Sequence, residues 1–184
     1  LKKLEADLIK YQGKGIKLAH AHQQMRLDDK RFDGIYDISE RLGKPLYIHT
    51  GTSPNPYTRM EPPYVDPLYL EESIKKYPGA IFIMGHSGYD SFLVKLTYLD
   101  SCIELAKKYE NVYIEPGALG SRKASEILPI YLKRMKEEGI IDRVIYGSDG
   151  PQFPGYTASH LNNMIDAMEE VGYTGLEMLS LIHI

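Results

Sequence analysis

At 184 residues and 43% hydrophobic content, the chain can form one domain with a real core and is too apolar to be disordered. Its 22 basic and 25 acidic residues give a formal net charge of −3, without a basic stripe, which argues against nucleic acid or an anionic membrane and leaves a small molecule as partner. A lone Cys102 excludes an internal disulfide framework and fits a reducing cytoplasm, and no apolar run nears the roughly 18 residues that cross a bilayer.

The chain enters directly into a helical pattern, with Leu4, Leu8 and Tyr11 on one face. Strand-like runs then begin near positions 15, 45, 80, 112 and 144, a spacing of about 30 residues that matches one βα unit with its loops. The first run is Gly15 to His20. A helix from Asp33 follows, with Ile35, Ile38 and Leu42 on its buried face, Gly43 ending it and Pro45 opening the next strand. That strand, Pro45-Leu46-Tyr47-Ile48, delivers His49-Thr50-Gly51 at its end. The proline-rich stretch over residues 52–66 reads as a substrate-covering loop.

A helix from Pro67, with Leu70, Ile74 and Tyr77 in register, leads into a strand ending in Gly85-His86-Ser87-Gly88. A helix over 91–109, the strand Val112 to Glu115, a helix over 121–138, and a strand ending in Gly147-Ser148-Asp149-Gly150-Pro151 come next. A last helix starts after a Ser159 cap and packs Leu161, Met164, Ile165 and Met168. Nearly all-apolar strands that alternate with helices predict an α/β fold with a parallel, covered sheet. Histidine or aspartate at three strand ends is a site hypothesis, since barrels of this kind keep their chemistry there. Taken singly, His49 reads more readily as a satisfied core histidine, and Asp149 reads also as a turn cap.

In their order, Gly15-Ile16-Lys17-Leu18 with Gln23 and Asp28, Pro45 to Gly51, Gly85 to Gly88 and Gly147 to Pro151 resemble the amidohydrolase superfamily. The branch is the amidohydrolase-related one that includes aminocarboxymuconate semialdehyde decarboxylase, and the resemblance runs over about residues 10–175. It implies a partial (β/α)8 TIM barrel, the strands here being the fourth to the eighth, with the first three and their His-x-His metal motif upstream. It also implies a divalent metal, most readily Zn²⁺, bound by His49 and Asp149, with Asp149 taking a proton. His86 would bind a second metal or act as acid and base. The reaction would be hydrolysis of an amide, ester or lactone-type bond, or decarboxylation of a small carboxylic acid on the same site; a non-catalytic ligand-binding barrel is the rival.

Glu115 is a pocket candidate, Tyr57 and Arg59 are substrate-covering candidates from the long loop, and His20 or His22 is expected at the pocket mouth. His20-Ala21-His22 has the His-x-His spacing but sits only one βα unit before His49, so it is not the first-strand motif. Lys17 is read as structural rather than as a carbamylated metal bridge. The chain is expected to span residues 1–178 as an incomplete barrel, inactive by itself, with a homo-oligomer open to the full-length protein. Leu179 to Ile184 back-translates as CTG TCT CTT ATA CAC ATC, a transposon-end sequencing adaptor, so 179–184 reads as a non-native tail in which His183 has no role.

Overall fold

A computed structural model describes every residue except 122, 123, 125, 151, 152, 183 and 184. Helix α1, Lys2–Lys10, precedes β1, Ile16–Leu18. Then come α2, Asp33–Leu42, β2, Leu46–His49, and the short α3, Pro62–Val65, and α4, Glu71–Lys76. Strand β3, Phe82–Gly85, helix α5, Leu99–Lys108, and β4, Val112–Glu115, follow. Helices α6, Leu128–Glu137, α7, Tyr156–Glu170, and α8, Gly175–Ile182, complete the chain. Among the described residues no helix is long and apolar enough to cross a membrane.

The four strands form one parallel sheet in sequential order, as apolar strands separated by helices should. Alternation along the strands divides its faces. Leu46, Ile48, Phe82, Met84, Val112 and Ile114 are fully buried under the helices, each contributing about 1.5–3 kcal/mol by burial. The opposite face carries rows set by register. Lys17, Tyr47, Ile83 and Tyr113 lie side by side, and two residues further on His49, Gly85 and Glu115 form the next row, at the C-terminal edge. The second row holds the chemistry because strand period is two.

The expected fifth strand is reduced to one parallel bridge, Ile114 with Val144. After the Ile145 N–H bond to the Ile114 carbonyl (2.9 Å), the next rung toward β4 would need an amide from Pro116, which has none; Tyr146 N–H, on the edge away from β4, donates to the Leu181 carbonyl of α8 (2.9 Å). The expected helix over 91–109 begins only at Leu99. Before it, the Asp90 carboxylate accepts from the Phe92 and Leu93 amides (2.9 Å each) and from Thr52 Oγ1 (3.0 Å), folding a turn where helix was expected. Helix α6 starts at Leu128 rather than 121. Helix α7 starts at Tyr156, three residues ahead of Ser159, with Gly155 at its N-cap. Gly43 ends α2 in the left-handed conformation, φ +60°, the usual glycine stop. Leu179 to Ile182 continue α8, and Leu181 is buried; His183 lies outside the described residues.

Candidate active site

The site begins where β2 and β3 end together. Thr50 is buried; its Oγ1 donates to the Gly85 carbonyl (2.8 Å) and accepts from Gly88 N–H (3.0 Å). This stitches the turn after His49 to the turn after His86. His86 and Ser87 both adopt left-handed backbone, φ +67° and +49°, a conformation costing about 1–2 kcal/mol for each non-glycine residue. Such strain persists only where neighbours enforce it. Here Ser87 Oγ donates to Tyr131 Oη (3.2 Å), and His86 N–H donates to Glu115 Oε2 (3.2 Å).

The result is a row of imidazoles. His49 and His86 ring centroids are 4.4 Å apart, and His22, from the loop after β1, meets His49 edge-on at 5.0 Å. Asp149, also left-handed at φ +45°, brings Oδ2 within 3.8 Å of His86 Nδ1. That nitrogen also faces the Gly117 carbonyl at 3.3 Å. A carbonyl only accepts, so the contact assigns the proton to Nδ1 and leaves Nε2 with its lone pair.

His49 is the least ambiguous donor. Its Nε2 is buried and has no hydrogen-bond partner, and its pKa is pushed down to about 2, first by burial and then by repulsion from His86, Lys17 and His22. A neutral imidazole with an unshared buried lone pair is what a metal ligand requires. Asp149, half exposed, adds a carboxylate. Among the described residues no three such donors converge, so the set fits part of a divalent-metal site.

Beside this row, extending toward the N-terminal ends of β1 and β2, is a cleft of about 430 Å³ lined by Ile16, Lys17, Pro45, Tyr47, Glu115 and Asp149 and by none of the three imidazoles. Lys17 Nζ stands 3.7 Å from the Tyr47 ring centroid, one row below His49, and burial lowers its pKa against the pull of Asp149 and Glu115. A larger depression of about 600 Å³, between α6 and the end of α7, contains none of the candidate groups, so size alone does not locate the site.

His49, His86, Asp149 and Glu115 are thus brought together. His20 is not at a pocket mouth: it is fully buried, its Nε2 bonded to Tyr36 Oη at 3.2 Å and its ring 4.0 Å from Phe32. The turn Ala19 to Gln23 buries His20 in the core and leaves His22 exposed beside His49. Arg59 is engaged by Glu61 (2.9 Å), and Tyr57 is 80% exposed, so the long loop presents both to solvent. Pro151 of the Gly-Ser-Asp-Gly-Pro motif lies outside the described residues. His22, the other histidine that could line the pocket mouth, is the one the structure places beside His49; one residue, His160, escaped sequence reasoning. His160 Nδ1 donates to the Ser148 carbonyl (2.7 Å), bracing the turn that carries Asp149. The signal was its spacing of four and eight from Met164 and Met168, which places it on the buried face of α7.

Buried His20 carries a pH prediction. Burial lowers its pKa to about 4, below the unfolded value, so between pH 6.5 and 4 the unfolded chain takes up a proton that the folded chain refuses. Its contribution is complete above pH 6.5 and declines toward pH 4, by about 3 kcal/mol in all. Urea denaturation at pH 7.5 and pH 4 should show that component in the native sequence and its loss in His20→Gln; equal pH slopes would remove His20 as the source.

The amidohydrolase family model matches residues 1–167. The chain belongs to the amidohydrolase family. It is 27% identical over 128 residues to protein fluG of Emericella nidulans (strain FGSC A4), a stretch covering 70% of this chain and 14% of fluG. An uncharacterized TIM-barrel protein from Bordetella bronchiseptica superposes with TM-score 0.68 at 16% identity, over 99% of this chain and 58% of that one. For 2,6-dihydroxybenzoate decarboxylase from Rhizobium the values are 0.64 and 15%, over 98% and 63%. At such identities the likeness shows the fold. The amidohydrolase chain therefore has the α/β architecture of part of a TIM barrel, and spans less than two thirds of these relatives' lengths.

Proposed function

We propose that this chain contributes the later strands, the fourth to the eighth, of a metal-dependent amidohydrolase that hydrolyses a small-molecule amide, ester or lactone-type bond. The observation that carries the reading is the buried, neutral, unpartnered Nε2 of His49 beside His86 and Asp149. His49 and Asp149 would hold a divalent ion, zinc being the first expectation, with further donors from the His-x-His pair that the family resemblance places on the first strand. When bound, such an ion supplies Lewis acidity and a nucleophile at neutral pH. Asp149 at the cleft mouth takes the proton from the attacking water on Oδ2. His86, its Nδ1–H held by Gly117, has a free Nε2 lone pair, which would accept that proton from Asp149 and then deliver it to the leaving group.

Decarboxylation of a carboxylic acid is a second reading, and Lys17 favours it. Its ammonium lines the cleft beside Tyr47 and would hold a substrate carboxylate. Release of carbon dioxide, as against appearance of a new acid, separates the two in a screen of amides, lactones and aromatic acids. The metal itself is tested by elemental analysis of the full-length protein, with the upstream strands restored, and of its His49→Ala variant. About one or two equivalents of zinc or a similar ion are expected, lost in the variant. A folded protein without metal, unresponsive to added zinc, would leave a ligand-binding barrel instead.

A further inference from the structure

Glu115 is 3% exposed, and its surroundings make it a poor substrate contact. Its Oε2 accepts two hydrogen bonds, from Tyr47 Oη at 2.5 Å and from His86 N–H at 3.2 Å. Its Oε1 fills space that two glycines leave open. A Cβ on Gly147 would lie 1.7 Å from that oxygen, and one on Gly117 2.6 Å. One carboxylate thus touches β2, the turn after β3, the turn after its own strand, and the segment that carries Asp149. It is the common neighbour of the segments that carry His49, His86 and Asp149.

The left-handed backbone of His86 needs such a partner, since its amide is buried and a buried N–H left unpaired costs about 1–3 kcal/mol. An ionised acceptor forms the stronger hydrogen bond. We propose that Glu115 is a positioning residue. It pins the His86 amide and the Tyr47 hydroxyl on one oxygen and so fixes the angle at which the His86 ring is presented to His49 and Asp149. Its importance for catalysis rests on the hydrolase reading above, whereas the clamp itself does not.

The test is hydrogen exchange and side-chain NMR on isotopically labelled protein. Glu115→Met keeps the length and removes the acceptor. His86 N–H is expected to exchange at least tenfold faster, relative to the amides of Ile48 and Ile114 in the core strands, and the ring signals of His49 and His86 should shift. Glu115→Gln retains an acceptor oxygen and should restore most of the protection, with the His86 amide signal moving upfield as the charge is lost. Tyr47→Phe removes the second donor from Oε2 and should also move the His86 amide signal. These two near-isosteric variants decide the matter even should Glu115→Met fail to fold. An amide unmoved in both, or Glu115→Gln as damaging as Glu115→Met, would overturn the clamp. Zinc content measured on the same variants of the full-length protein keeps the questions apart: its absence throughout would count against the metalloenzyme and leave the exchange result to stand.

Discussion

Gly51→Ala is expected to destabilise the protein by about 2–5 kcal/mol, in contrast to Gly43→Ala, for which about 1–2 kcal/mol is expected. Both glycines are left-handed, at φ +76° and +60°, and a side chain there costs about 1–2 kcal/mol of backbone strain. The difference is space. A Cβ on Gly43 would meet nothing within 4 Å, whereas on Gly51 it would lie 2.1 Å from the Tyr89 carbonyl oxygen and 2.7 Å from Gly88 C. Those atoms are backbone, held by Thr52 N–H on Tyr89 O (3.0 Å) and by Tyr89 N–H on His86 O (2.9 Å), so they cannot swing aside as a side-chain tip could. Overpacking of this kind adds about 1–3 kcal/mol. Because the colliding turns carry His49 and His86, the damage should fall on the site: urea melts would register the loss, and the His49 and His86 ring signals should separate from native ones. Equal costs for the two substitutions would show that the turn after β2 yields more easily than its contacts suggest.

The same contrast explains what could be read in advance. Glycine follows His49 by two residues and flanks His86-Ser87 on both sides, and these spacings were visible because close approach of two strand-end turns admits no Cβ. The parallel sheet was legible for a related reason: Leu46, Ile48, Phe82, Met84, Val112 and Ile114 form short apolar runs too brief for helices. What escaped depended on partners distant in sequence. The strand ending at Asp149 shortens to one bridge because its partner there is Pro116, which offers no amide, and its outer edge is taken by α8 through the Tyr146 amide, a pairing visible only once the two segments are side by side. The early start expected for α5 was overridden by Asp90, whose carboxylate offers the amides of Phe92 and Leu93 an alternative to helical bonding. His20 and His22 are separable only by the turn between them, which decides which ring enters the core. Glu115 was visible as a strand-end carboxylate, yet its bond to Tyr47 spans 68 positions, beyond any motif.

Asp149→Asn is expected to lower the rate of the proposed hydrolysis by about 10²–10⁴-fold, about 3–5 kcal/mol of transition-state stabilisation, while leaving stability within about 0.5 kcal/mol. The side chain is 50% exposed, its ion-pair contact is His86 Nδ1 at 3.8 Å, and asparagine tolerates the φ of +45° as well as aspartate does. The fold therefore has little to lose, whereas a group that must accept a proton cannot be replaced by an amide. The opposite outcome, full activity with reduced stability, would return Asp149 to the role of a turn cap before Gly150. A double substitution sharpens the result. If His86 and Asp149 pass the same proton in sequence, His86→Gln combined with Asp149→Asn should cost little more than the worse single change, because groups acting as a unit fail together. Additive losses would mean instead that the two side chains serve separate steps, and the 3.8 Å between them would be proximity without coupling.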